Sequence, residues 1–485
     1  MIIENKSDFY KAIKENVVFK NYKFNLIQDD LIIKHFNSEW IVFEGCEFDC
    51  ELLMFSNLDS DLVLEFNNCV FNCNVKFQFC EIDEISFSNT KYIKSLIVSN
   101  PLNEKFSINK FVFKNDNLNE EQINSTNFCF QNVNFKQYFE FNNINNIKGI
   151  FNFSNNNIGD ELYEGTSSCV FNSSKLGNIR FENNEFNTFT SFKKSKFYFN
   201  KDNFNKTGNH WNEPKFWNNN FKKVNFSQIE LFCKIEFDNC DFSETTLFED
   251  CVKNLNSNLK IIACKFEKYT LFDNSFFDKI EISHTKFVEK VSFENFTTNF
   301  FKIHQVSFLG SAFFDDLNKD NNKSIENWDR KTLRSIKREL VSTHNQIDYL
   351  RFKAYELEAY KKEKGKSWKD NFILNLNSFS SSNGLDWVKA LRFIFLTSLI
   401  NYLFYLITYL IGVKSVVPSN FPNSVEEFLV YYLKFINPLM FLKSPIEDAE
   451  KYFFPLLFLL IGKILISYGI YQLIQAFKKK KKNGD

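Results

Sequence analysis

The 485-residue sequence predicts a mainly β protein. Most of the chain winds into a four-sided coil, and a helical hairpin and two membrane-spanning helices follow. Three observations predict this. Large apolar residues recur every five residues between about residues 40 and 310. The apolar spacing switches to three and four after residue 323. Two long apolar segments, 391–412 and 453–477, stand near the end.

Residues 1–20 read as a cap. In "SDFYKAIKEN" (7–16), Ser7 can serve as the N-cap of a short helix, and Phe9, Tyr10 and Ile13 share one face. A stacked coil needs such a cap, because its open end exposes unpaired backbone and core.

Residues 21–310 carry the repeat. Large apolar residues fall at Phe66, Phe71, Phe77, Ile82, Phe87, Tyr92 and Ile97. The same ruler fits Phe171, Leu176, Phe181, Phe186, Phe192 and Phe197, then Phe216, Phe221, Phe226, Leu231, Phe237, Phe242 and Leu247. A fourth run is Phe266, Leu271, Phe276, Ile282, Phe287 and Phe293. A period of five suits neither a helix nor a flat strand. A chain that turns a corner after every fifth residue satisfies it, and four such sides make a coil of about twenty residues. Coils would stack through backbone ladders at roughly 4.8 Å. The residue two before each large one also points inward and must be small. Cys46, Cys69, Ser195, Cys240, Cys264 and Thr285 hold that place before Phe48, Phe71, Phe197, Phe242, Phe266 and Phe287.

This placement answers for the cysteines of "FNNCVFNCNVKFQFCEIDEISF" (66–87). Cys69 and Cys80 read as small core hydrophobes rather than metal ligands or disulfide partners. Cys46, Cys50, Cys69 and Cys73 lack the paired spacing of a zinc site. The first residues lack the charged-then-apolar pattern of a signal peptide, so the eleven thiols are expected to stay reduced.

Units such as "CEFDC" (46–50) and "CDFSE" (240–244) resemble those of the pentapeptide-repeat family, which read small–Asp/Asn–Leu/Phe–polar–polar. The resemblance covers roughly residues 40–310 and implies a right-handed quadrilateral β-helix. The six-residue steps imply corner bulges, and Phe mostly replaces the family's Leu. Segments 98–127, 155–168 and 200–215 break the ruler and are expected to loop out. A sandwich, or a β-solenoid of longer period, is the alternative arrangement.

Residues 311–386 form a helical neck. Ile325, Trp328, Leu333, Ile336 and Leu340, then Ile347, Leu350, Ala354 and Leu357, follow helical spacing, with a break at "STHNQ" (342–346). The pair resembles the one that follows the coil in membrane-linked pentapeptide-repeat proteins. Its mixed charge reads as a solvated hairpin and disfavours nucleic acid as a partner.

Residues 387–485 form the membrane domain. Segments 391–412 and 453–477 are long enough to span a bilayer, which takes about 20 apolar residues. Between them, "FLVYYLKFINPLMFL" (428–442) suggests an interfacial or re-entrant helix ended near Asn437-Pro438. Lys361, Lys362, Lys364, Lys366, Lys369 and Lys389 precede the first span, and Lys478 to Lys482 follow the second. The 413–452 loop has four Lys against five Asp and Glu. The positive-inside rule then puts both termini in the cytoplasm, at an inner (cytoplasmic) membrane. The halves differ in charge. Residues 1–310 carry 33 Lys and Arg against 41 Asp and Glu, whereas residues 311–485 carry 26 against 18. A basic end suits a membrane surface.

Lys463 is the sharpest single residue, because a charge near the middle of a span costs about 2.5–3.5 kcal/mol. Lys463, Ser467, Tyr471 and Gln475 recur every four residues. They read either as the lining of a pore or cleft, or as a helix contact in which Lys463 snorkels or bonds Asn401, Tyr402 or Tyr405.

No phosphate loop, nucleophile elbow or zinc-protease motif occurs, and His35, His210, His284, His304 and His344 are scattered. No catalytic, cofactor-binding or metal-binding residues are therefore expected, and no cofactor. The expected role is non-enzymatic: a membrane-anchored scaffold that presents the β-helix to a protein partner, with homo-oligomers forming through the membrane helices. One alternative is a two-span channel or transport module. It would not be potassium-selective, because a Thr-Val-Gly-Tyr-Gly filter is absent. The resemblance implies a third role, a nucleic-acid mimic acting on a topoisomerase, which the small negative charge of the front half supports poorly.

Overall fold

The computed structural model describes residues 1–58, 60–91, 93–100, 106–115, 126–146, 148–160, 167–199, 214–319, 321–413, 421–440 and 443–480. The chain divides into two compact units, Met1–Thr332 and Leu333–Asp485.

The first unit is a parallel β-solenoid of about twelve turns, the arrangement found in pentapeptide-repeat proteins. One turn shows the build. Asn258–Ile262, Lys265–Phe266, Thr270–Leu271 and Phe276–Phe277 make its four sides, and Lys279 then pairs with Asn258 to open the next turn. Each side bonds in parallel to its counterpart one turn on, as in Phe266 with Phe287 and Phe287 with Phe308. Turns of the regular region are somewhat longer than the expected twenty residues, because corners absorb extra residues. The turn after Lys234 does so at Asn254–Ser257, where the Ser257 amide and hydroxyl both donate to the Asn254 carbonyl.

Inward phenylalanines stack ring on ring between turns. One column runs Phe171, Phe192, Phe226, Phe248, Phe272, Phe293 and Phe314, with centroids 4.7–5.1 Å apart and planes within 7°. A second runs Phe186, Phe221, Phe242, Phe266, Phe287 and Phe308 at 4.4–5.5 Å. A third stacks Phe181, Phe216 and Phe237, then continues in register as Ile261, Ile282 and Ile303. These spacings match the distance between ladder-bonded strands, so each side chain meets its own kind directly above.

The small inward residue has a task of its own. Cys46 Sγ and Cys69 Sγ lie 3.2 and 3.3 Å from the carbonyl oxygens of Phe19 and Phe43 on the preceding turn. Ser195 Oγ donates to Phe171 O, Ser275 Oγ to Phe248 O and Asn219 Nδ2 to Phe181 O. At these corners a buried carbonyl turned inward is thereby satisfied, which suits Cys, Ser and Asn to the position. On another side of the coil the equivalent position is filled by Thr246, Thr270, Val291 and Ala312 as small packing residues. Where a corner takes Asn the residues also bond one another: Asn156 Nδ2 donates to Asn184 Oδ1 at 3.2 Å, and Asn184 Nδ2 to Asn219 Oδ1 at 2.9 Å.

The residue before the small one has left-handed backbone. Asn68, Asn183, Asn218, Asn239 and Asn274 have φ between 52° and 55° and precede Cys69, Asn184, Asn219, Cys240 and Ser275. Asn tolerates that region better than most residues, which accounts for part of its heavy use. Gly45 takes the same place before Cys46, and a Cβ there would lie 2.4 Å from Asn21 Oδ1.

The structure corrects the ruler in three places. Leu247, Leu271 and Ile97 are only half-buried, and the fully inward residues are Phe248, Phe272 and the pair Leu96 and Val98. The step from Phe242 to Phe248, and from Phe266 to Phe272, is six residues, so a strict count of five lands one short. The small-before-large rule survives the shift, because Thr246 and Thr270 are buried two residues ahead of Phe248 and Phe272. Tyr92 lies outside the described residues.

Two segments expected to loop out contribute to the coil. Ser107–Lys114 pairs with Glu81–Ser88 on one side and with Asn134–Asn142 on the other. Asn157–Ile158 pairs with Asn134–Phe135. Residues 101–105, 116–125, 161–166 and 200–213 of the three segments lie outside the described residues.

The two ends of the solenoid are closed. Helix α1 (Lys6–Glu15) sets Phe9 edge-on against Phe24 at 5.3 Å. Its N-cap is Asn5 rather than Ser7: Asn5 Oδ1 accepts from the Asp8 amide at 2.9 Å. Before it, Ile2–Ile3 already pairs with Lys23–Phe24, so strand pairing begins inside the segment read as a cap. At the other end, after the short helix α2 (Asn322–Ile325), buried Trp328 meets Phe301 edge-on at 5.5 Å, and Thr332 Oγ1 accepts from the Ile303 amide.

The second unit is helical, and α3 (Arg330–Ser342) straddles the division. Helix α4 (Gln346–Lys362) follows a break at 343–345, as the spacing predicted. Burial alone would raise the Glu356 carboxyl of α4, but Lys337 and Arg334 beside it hold it below the usual carboxylate range. Helix α5 (Trp368–Ser381) was not anticipated. Helices α6 (Trp387–Val413) and α8 (Phe453–Lys480) are long and apolar enough to cross a membrane, and they pack against each other. Between them, α7 (Val425–Ile436) ends at Asn437, before Pro438.

Two outcomes test this account. Phe237→Ala removes a ring from the stack and should cost about 3–5 kcal/mol, whereas Cys240→Ser keeps a donor at its corner and should cost about 1 kcal/mol or less, by chemical denaturation in detergent. Burial pushes the Cys80 thiol up to about 11 and Cys251 to about 12. Both should resist iodoacetamide at pH 8 until the protein unfolds, and rapid labelling of the folded chain would contradict their placement.

Candidate functional site

The site is built where α6, α7 and α8 meet. Ser424 caps α7 by accepting from the Glu427 amide at 3.1 Å, and Glu426 and Glu427 sit in its first turn, where acidic residues favour the helix dipole. Tyr402 and Tyr405 of α6 pack on Phe435 of α7. Phe435 in turn fills a notch left by Gly462 of α8, where a Cβ would come within 2.7 Å of its ring. A second notch at Gly469 receives Ile394 of α6, which a Cβ would approach to 2.5 Å. Small residues at such points let apolar helices approach closely.

Lys463 follows Gly462 and is 1% exposed. Its Nζ donates to Asn437 O at 2.6 Å, with Lys434 O at 3.4 Å and the Phe435 ring centroid 5.9 Å away. The last carbonyls of a helix have no partner within it and carry partial negative charge. The ammonium of α8 therefore caps the C-terminus of α7, in apolar surroundings where such a bond is strong.

This corrects the partners expected from sequence. Asn401 Nδ2 donates to Thr397 O within its own helix, Tyr402 OH donates to Phe428 O, and Tyr405 OH pairs with Ser444 Oγ at 2.6 Å. The stripe itself divides. Ser467 and Tyr471 are exposed and Gln475 is half-buried, so they do not share the surroundings of Lys463. Steps of four advance about 40° around a 3.6-residue helix, so residues twelve apart lie on different faces.

Further polar contacts of α8 are made instead by half-buried Tyr468 and buried Gln472. Tyr468 OH and Gln472 Nε2 both donate to Asn377 Oδ1 of α5, and Ser381 Oγ donates to Gln472 Oε1 at 2.7 Å. Their signal in the sequence is a polar pair four residues apart in an apolar segment.

The solenoid offers a different surface. Its outward side chains form charge ladders: Lys215 lies 3.1 Å from Glu236 and 2.7 Å from Asp238, and Lys260 lies 3.1 Å from Glu236. Among the described residues no group of three or more His, Cys, Asp or Glu stands together to hold a metal ion, and nine of the eleven cysteines are buried.

Comparisons with family models, with curated proteins and with solved structures find no match to this chain.

Lys463→Met should release the end of α7. We expect cleavage within 413–452 by added protease to rise several-fold in detergent, and stability to fall by about 1–3 kcal/mol. Unchanged cleavage would show that the lysine does not hold α7.

Proposed function

We propose that this chain is a membrane-anchored, non-enzymatic scaffold of the pentapeptide-repeat type, presenting its solenoid to a protein partner from the cytoplasmic face. The observation that carries the reading is one chain holding both a long solenoid with laddered, polar outer sides and two helices apolar enough to span a bilayer. Ring stacking along the core makes the solenoid stiff, and stiff repeat surfaces suit extended protein contacts. The lysines flanking the spans support cytoplasmic termini. A second reading, a two-span pore module, draws on the short helix α7 held between the spans and on the buried cation that anchors it.

The tests are direct. The chain should stay in the membrane pellet after alkaline carbonate, and crosslinking followed by detergent pull-down through the solenoid should recover a stoichiometric protein partner. Release by carbonate would defeat the anchor. Ion flux in proteoliposomes that Lys463→Leu abolishes would favour the pore instead.

A further inference from the structure

Helix α5 is built inside out. Its protein-facing side makes polar contacts beside buried Leu374: Asn377 and Ser381 bond Tyr468 and Gln472 of α8, and Ser380 and Ser381 are fully buried. Its open side carries a large apolar stripe. Trp368, Phe372 and Phe379 are 75%, 61% and 61% exposed, and at spacings of four and seven they lie along one stripe with Leu376. A contiguous aromatic stripe of this kind marks an interaction surface rather than a solvated face.

What covers it is read from its neighbours. Only a short turn separates α5 from α6, and Phe379 touches Phe393 of α6 edge-on at 6.0 Å. The apolar stripe therefore runs on into the apolar surface of a candidate span. Lysines border the stripe. Lys361 and Lys389 line one cleft with Phe372, Leu376 and Phe379. Lys389 Nζ is held there by Ser378 O at 2.8 Å and Ser382 Oγ at 3.1 Å, which leaves its third N–H for a ligand. Aromatic residues on one side and cations beside them are the chemistry of the boundary between acyl chains and anionic headgroups, where Trp is favoured. A protein partner would place no requirement on the lysines or on continuity with α6.

We propose that α5 is an interfacial helix that lies in the cytoplasmic leaflet, its stripe in the acyl boundary, with Lys361 and Lys389 binding the phosphate of an anionic phospholipid. This rests on the membrane reading above. The polar bonds to Tyr468 and Gln472 would then fasten the second span to the helix lying in the leaflet.

The full-length protein in vesicles of phosphatidylcholine and phosphatidylglycerol with brominated acyl chains tests both parts. The emission lost in Trp368→Phe measures Trp368, and that lost in Trp387→Phe measures the start of the first span. Both are expected to be quenched by the bromolipids. Quenching of Trp387 without Trp368 overturns the interfacial helix and leaves the anchor standing. Quenching of neither, with release by carbonate, defeats the membrane reading as well. For the headgroup, retention of phosphatidylglycerol over phosphatidylcholine in native mass spectrometry should fall about fivefold for each of Lys361→Gln and Lys389→Gln. Equal retention in wild type and variants overturns the lysine assignment.

Discussion

The structure of the first unit depends on one constraint, the stacking of identical side chains at the spacing of a backbone ladder. A phenyl ring on one turn packs against a parallel, offset ring on the next, as Phe242 and Phe266 do at 4.4 Å and 2°. No single turn can bury its rings, so the column stands only as a stack. The rest follows at the corners. At many corners a small side chain stands two residues before a ring, and its donor meets the carbonyl turned inward there. Reversing direction into that corner needs left-handed backbone. Phe, Cys or Ser, and Asn are thus three answers to one geometry, and an abundance of Phe and Asn is its compositional trace.

The helical unit meets the opposite problem. Its apolar helices have little to gain from burying apolar surface against each other if lipid is the alternative, so close contact and polar bonds carry the association. Gly462 and Gly469 supply the contact, and Lys463, Tyr468 and Gln472 supply the bonds. Each polar group is spent on a defined carbonyl or amide of a neighbouring helix. Lys463 thereby couples α8 to the end of α7, a helix that no covalent constraint would keep there.

Legibility differed by element, for physical reasons. The solenoid could be read because a repeat states the same rule many times, and an error at Leu271 is exposed by agreement at Phe266 and Phe287. The ruler still failed where a corner took a sixth residue, since spacing alone does not mark which side is longer. The spans and the break before α4 could be read from apolar length and period. Helix α5 escaped because its pattern runs opposite to the rule that apolar residues face the protein. The partner of Lys463 escaped because it is a main-chain carbonyl at the end of α7, and every residue except the last few of a helix lacks such a free group.

By itself the sequence determined the repeat, the inward Phe columns, the small donor-bearing corner residues and the two segments apolar enough to span a membrane. These are one-dimensional properties, written in period and composition. Only the tertiary structure decided which residues the polar groups of the helical unit meet. That choice depends on where glycine notches let helices approach, and on which carbonyls the end of α7 leaves open, neither of which spacing along one helix can express.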